Sequence, residues 1–243
     1  MKYLILILLL SFSTFVHCQV FEVDKTESFF YLAGMTATTF SINHIDVSAL
    51  NLAKIDKNDI PFFDSSSPTK YDGNLKEWSN NTIYLTMASS AFIIADKNFV
   101  DNFIILGKVL LTQDVITKLS KAATHRKRPF VYDNTVSDAT KQSRNAQHSF
   151  YSGHSSTAFA AATFGYYYYS QKYGKNAWIA TLLFGGASAT AYLRVASAQH
   201  FPSDVTIGAI AGSAISYGIC KYHQSDNFNV SVSLNQVNFC YEF

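Results

Sequence analysis

Residues 151–173 read YSGHSSTAFAAATFGYYYYSQKY. Ser152, Gly153 and His154 stand immediately before an Ala-rich run of good helix formers, so the spacing predicts a helix over 155–173. Gly174 separates it from a second apolar helix predicted over 176–196, and a third is expected over 205–223, just after Pro202 and Asp204. A helix start leaves N–H groups free and carries the positive end of the dipole, so the place where His154 sits suits an anion. Tyr166–Tyr169 span every face of the predicted helix and are assigned to packing, with a dimer or lipid contact as the alternative.

Working outward, the chain becomes helical in character from about Trp78, with apolar residues at helical spacing over 80–99 and 100–125. Residues 19–75 are mixed, with turn signals at DKND and DSSSPTKYDGN, one or two short helices, and an exposed loop around Ser65–Asn74. The tail NFNVSVSLNQVNFCYEF alternates apolar and polar residues and reads as a short β segment. The expected class is therefore all-α: a helix bundle with a short C-terminal β segment. The divisions are 1–18, a signal peptide; 19–75, a mixed N-terminal segment; 76–223, the helical domain; and 224–243, the tail.

Composition bounds the function. The chain has 243 residues, a formal net charge of +2, 15% charged and 15% aromatic residues, enough for a packed core and too apolar for disorder. Its basic residues form no long tract, which argues against a nucleic-acid partner. Met1-Lys2 ahead of YLILILLLSFSTFV resembles a secretory signal with cleavage before Gln19; a retained anchor is the alternative. Export to a periplasm or cell envelope would permit a disulfide between Cys220 and Cys240, with two free thiols as the equal alternative. The predicted helices are rich in Ala, Gly, Ser and Thr, and several carry charges, which favours a soluble bundle over an integral one and leaves contact with a membrane surface open.

Three clusters carry chemistry. The first is Lys121, six residues, then Arg128-Pro129; the second is Ser152-Gly153-His154; the third is Arg194, five residues, His200, three residues, Asp204. Singly, each has an ordinary explanation: a cationic cap, a helix-start histidine, an i,i+4 surface pair. Together they supply three cations for a tetrahedral oxyanion, the arginines as planar forks, with the Ser152 hydroxyl and Gly153 amide as further donors. His154 and His200 supply a proton donor and a nucleophile, and Asp204 can fix the His200 tautomer. Arg126 and Lys127 read as solvated or membrane-facing. Phe130–Tyr151, with Arg144 and His148, reads as a polar loop walling an entrance. His44, His125 and His223 have no evident partners.

The ordered pattern Lys-x6-Arg-Pro, Ser-Gly-His and Arg-x5-His-x3-Asp resembles the type 2 phosphatidic acid phosphatase superfamily, which includes bacterial class A acid phosphatases, lipid phosphate phosphatases and vanadium haloperoxidases. The motif-bearing part, Lys121–Asp204, is about a third of the chain. The resemblance implies an all-α bundle of the acid phosphatase type and a phosphoric monoester hydrolase working through a phosphohistidine. By it, His200 attacks phosphorus, Asp204 orients His200, and His154 protonates the leaving oxygen and then activates water. Lys121, Arg128, Ser152, Gly153 and Arg194 bind the phosphoryl oxygens. It implies no metal and no cofactor, vanadate entering only as a phosphate mimic, and a phosphorylated substrate open to being lipid-linked. A vanadium-dependent haloperoxidase and a non-catalytic anion-binding protein are the alternatives. Two positions depart from the family pattern: Tyr151 stands where Pro is usual, and Leu193 where Ser is usual. The oligomeric state is not legible.

Overall fold

The computed structural model describes residues 19–43 and 55–225 and the backbone of 229–233 and 236–240. The expected signal segment 1–18 and His44 lie outside these residues. Seven helices account for most of the described chain: α1 Lys25–Asn43, α2 Gly73–Ile93, α3 Phe99–Thr124, the single turn α4 Asp138–Lys141, α5 Gly153–Tyr173, α6 Ala177–Ala196 and α7 Pro202–Tyr222. Two short strands, β1 Asn229–Ser233 and β2 Gln236–Cys240, pair antiparallel, Asn229 opposite Cys240 and Ser233 opposite Gln236. The architecture is an all-α bundle.

Local chemistry sets the helix starts. The Asp72 carboxylate accepts the Leu75 N–H at 3.0 Å, so α2 begins at Gly73, earlier than its apolar periodicity suggests. Ser152 caps α5 by accepting the Ser155 N–H at 3.3 Å, and Asn176 caps α6 through the Trp178 N–H at 2.9 Å. α7 opens on Pro202, where a missing N–H costs nothing, and Asp204 in its first turn accepts the Phe201 N–H at 2.9 Å.

α5 is the central element, packed against α2, α3, α6 and α7, while α1 lies along α3. α5 and α7 approach very closely: a Cβ on Gly208 would stand 2.7 Å from the Ser152 carbonyl oxygen, and one on Gly212 would overlap the Ser156 carbonyl. Around this crossing the core forms from Phe164, Tyr167, Tyr168, Ile105 and Val109, all buried. Tyr167 and Tyr168 are thus core, with Tyr166 and Tyr169 at its margin.

Phe21 is fully buried in the same core, with ring centroids 5.5 Å from Phe164, 6.2 Å from Tyr167 and 6.0 Å from Tyr168. Its backbone pairs with the end of α7: the Glu22 N–H donates to the His223 carbonyl at 2.8 Å and the Ser225 N–H to the Val20 carbonyl at 3.0 Å.

Two expectations are corrected and one open alternative is decided for Cys220. Phe130–Tyr151 is not merely a polar loop: Phe130, Val131 and Tyr132 are buried in a second core with Ala146, Ala198 and Phe201. His223 does have a partner, because its Nε2 lies 3.2 Å from Lys108 Nζ, which also meets Glu27 at 3.0 Å and thereby ties α1 to α3. Cys220 is a free, fully buried thiol, its pKa pushed up by burial; the side chain of Cys240 lies outside the described residues.

Candidate active site

Backbone hydrogen bonds stitch the three motifs together. The Ser152 N–H donates to the Asp204 carbonyl at 3.0 Å, and the Ser155 hydroxyl donates to the Val205 carbonyl at 2.7 Å, so the N-termini of α5 and α7 are held side by side. The turn after α6 folds back on itself: the N–H groups of Gln199 and His200 both donate to the Arg194 carbonyl, at 3.0 and 3.1 Å. A left-handed Ala198 (φ 56°) makes that reversal, which brings Arg194 and His200 to one place although six positions separate them. The first motif is extended and bracketed: the Arg128 N–H donates to the Ala146 carbonyl at 2.8 Å, and the Phe130 N–H to the Ala198 carbonyl at 3.0 Å.

Lys121, Arg128 and Arg194 come together near the start of α5. A Cβ on Gly153 would lie 3.6 Å from Lys121 Nζ, which puts that ammonium over the start of α5. Arg128 and Arg194 are both buried and share one acceptor, Gln199 Oε1, at 2.8 and 3.4 Å. Arg128 also donates to Asn145 at 3.3 Å and Arg194 to Ser79 at 3.2 Å, while neither Nε has a hydrogen-bond partner. Each therefore keeps donor capacity for an anion.

Burial and mutual repulsion depress the basicity of the whole group. Lys121 falls to about 7, through burial first and then Arg128 and Arg194. Burial lowers Arg128 to about 10, and burial with Arg128 beside it lowers Arg194 to about 9. Three buried cations that repel one another are the kind of strongly perturbed cluster that marks a candidate functional site.

The histidines face the same field. His200 is buried and held well below its ordinary pKa by burial, then by Arg128, Arg194, Lys121 and His154. His154 falls to about 3 by burial and the same three cations, and its Nε2 lies 2.8 Å from Asn80 Oδ1 on α2. His200 Nδ1 stands 3.6 Å from Asp204 Oδ2, longer than a hydrogen bond, and has no other partner. Asp204 is fully buried; burial raises its pKa, with Arg126, Ser149 and the Phe201 amide opposing.

All eight residues singled out from the motifs thus lie at one end of the bundle, where α5 and α7 begin and α3 and α6 end. Arg126 is corrected: it is bonded to Asp204 at 2.5 Å and Asp64 at 2.6 Å rather than solvated. Lys127 reaches Asp59 at 3.2 Å on the surface. A cavity of about 440 Å³ opens beside Lys121, lined by Ile42, Lys118, Arg144, Asn145 and His148 among others. Burial and the nearby Arg144 and Lys121 push His148 to about 4. Sequence reasoning missed Asn80, Asn145, Ser149 and Gln199; Gln199, one residue from His200, was the most accessible of these to inspection. Among the described residues no group of three or more His, Cys, Asp and Glu side chains could hold a metal ion.

No curated protein matches the chain. Among solved structures, LpxE from Aquifex aeolicus is similar at 22% identity and a TM-score of 0.47, over 62% of this chain and 88% of that one. The PAP2 superfamily model matches residues 102–228, just over half of the sequence and a span that takes in all three motifs, and the chain therefore belongs to the PAP2 superfamily.

Proposed function

We propose that the protein is a phosphatase that hydrolyses phosphate monoesters or lipid-linked phosphates and pyrophosphates through a phosphohistidine. The observation that carries this reading is the convergence of Lys121, Arg128 and Arg194 on two depressed histidines at the start of α5. A pocket built only to hold an anion gains nothing from His200 backed by a buried carboxylate.

In this reading the phosphoryl oxygens take donors from the three cations, the Ser152 hydroxyl and the free amide at Gly153. His200 Nε2 attacks phosphorus as the P–O bond to the leaving group breaks. The leaving oxygen takes a proton from His154, so one N–P bond forms, one P–O bond breaks and the product leaves as an alcohol or a phosphate. His154, now neutral, removes a proton from water, whose oxygen attacks the phosphohistidine and frees His200 with inorganic phosphate. His154 binds a proton weakly because it is buried and because three cations repel it; a bound dianion offsets the cations' part of that effect and raises its proton affinity.

The lipid-linked branch draws support from the outer surface. α2 and α6 run antiparallel, with Thr190 bonded to Thr82 at 3.0 Å. Below Ser79 and Arg194 they expose two apolar ladders, Trp78, Leu85 and Phe92 on α2 and Tyr192, Leu182 and Trp178 on α6. α6 is also long and apolar enough to cross a membrane.

The test is phosphate release by the full chain from an aryl phosphate, phosphatidic acid and an isoprenyl pyrophosphate, beside His200→Ala. Turnover that disappears in the variant supports the reading, and the preferred substrate names the branch. Phosphate release that survives in His200→Ala would sink the phosphohistidine.

A further inference from the structure

Arg126 occupies a position the first motif leaves open, two residues before Arg128, and its guanidinium is directed at two carboxylates instead of the anion site. One terminal nitrogen donates to Asp204 Oδ1 at 2.5 Å and to the Ser203 hydroxyl at 2.8 Å; the other donates to Asp64 Oδ2 at 2.6 Å. The Phe201 ring lies beneath the guanidinium at 4.4 Å. Asp64 ends a short 3-10 turn, Phe62–Asp64, that is more than a hundred positions from α7, yet it is fully buried. It accepts from the Ser203 N–H at 3.0 Å and from the Ser203 hydroxyl at 2.5 Å.

The second oxygen of Asp204 is fixed just as firmly. Oδ2 accepts from the Ser149 hydroxyl at 2.5 Å and the Phe201 N–H at 2.9 Å, and is the oxygen that faces His200 Nδ1 at 3.6 Å. With one edge of the carboxylate held by Arg126 and the other by Ser149 and Phe201, its plane cannot rotate.

We propose that Arg126 and Asp64 are positioning residues for His200: Asp64 pins the Arg126 fork, and the fork holds the Asp204 carboxylate so that Oδ2 faces Nδ1 and leaves Nε2 as the free lone pair. The proposal rests on the reading of His200 as nucleophile. The chemistry explains why a cation is needed there. Burial favours the protonated form of Asp204, and a carboxylic acid facing Nδ1 would donate to it, placing the ring proton on Nε2 and removing the lone pair that attacks. Arg126 is the strongest opposing influence on that carboxyl. Asp64 is needed because Arg126 is itself partly open to solvent, and a long side chain anchored by one prong would swing outward.

The experiment uses the full chain carrying Arg126→Met, Arg126→Lys or Asp64→Asn, with two independent readouts. Nitrogen NMR of labelled imidazoles reports the His200 tautomer whether or not there is turnover, and steady-state kinetics on an aryl phosphate separate kcat from KM. Arg126→Met is expected to move His200 from the Nδ1–H form toward the Nε2–H form. It should lower kcat about 10- to 100-fold, the range seen when a partner that orients a metal-bound imidazole is lost, while KM stays within about threefold. Asp64→Asn should reproduce both effects more weakly, and Arg126→Lys should recover part of each. A folded Arg126→Met protein with the parental tautomer and parental kcat would overturn the proposal and leave a structural staple. A tautomer shift in a chain that releases phosphate from no substrate keeps the positioning role and defeats the phosphatase reading. Should Arg126→Met fail to fold, Arg126→Lys and Asp64→Asn decide by the same two readouts.

Discussion

Lys121 has a charge that changes near neutral pH, at about 7, because burial and two arginines oppose it. Its folded pKa lies below the ordinary lysine value, so it is a cation below about 7 and loses its proton as the pH rises through that value. Oxyanion affinity should follow. Tungstate, a tetrahedral dianion whose own charge is constant in this range, is expected to inhibit about tenfold less well at pH 8.5 than at pH 6, the loss of one charge-assisted hydrogen bond. In Lys121→Arg most of that pH dependence should disappear, since a guanidinium holds its proton far more firmly than an ammonium in the same place. The motif residues were legible because fixed spacings mark them along the chain. Gln199, Asn80 and Asp64 were not, since one glutamine, asparagine or aspartate has no periodicity and gains its meaning from a partner far away in sequence. Arg126 was misread for the same reason: a basic residue in a basic cluster looks solvated until its carboxylates are known.

Helix packing is what turns three sequence motifs into one site, and the α5–α7 crossing is the critical contact. Gly212 lets α7 approach until it meets the Ser156 carbonyl, and Gly208 rests against the carbonyl of Ser152. Gly212→Ala would ordinarily favour a helix, but here the added methyl must push the two backbones apart. The expected cost is about 1–3 kcal/mol of stability, measured by denaturant unfolding. Activity should fall with it, because the same displacement separates His154 on α5 from Asp204 on α7. A variant as stable as the parent would show that the crossing tolerates movement. The helices themselves were visible as apolar periodicity, and Gly174 was rightly read as the break between α5 and α6. Their starts were less clear: Gly153 is already helical because Ser152 supplies the cap, and α7 begins at Pro202 rather than 205. Capping depends on one hydrogen bond, and a periodicity argument does not see it.

At the scale of the whole molecule, the bundle class was readable from composition and periodicity, whereas the role of the first described residues was not. Val20 and Phe21 sit in a stretch with no helical pattern, and nothing local announces that Phe21 fills the core between Phe164 and Tyr168. The pairing of Phe21 with Gln224 closes a loop of about 200 residues, and bringing such distant positions together costs about 5 kcal/mol of chain entropy. That contact is therefore expected to form after the helices have assembled, as the last latch of the fold. Phe21→Ala should remove about 3–5 kcal/mol of stability. The loss should appear almost wholly as faster unfolding, with the refolding rate unchanged, in stopped-flow kinetics across a denaturant series. A slowed refolding arm would instead make Phe21 part of the nucleus. A latch of this kind sets the lifetime of the folded enzyme and leaves its rate of formation alone, so the durability of the protein rests on an aromatic ring on the far side of the sequence from its chemistry.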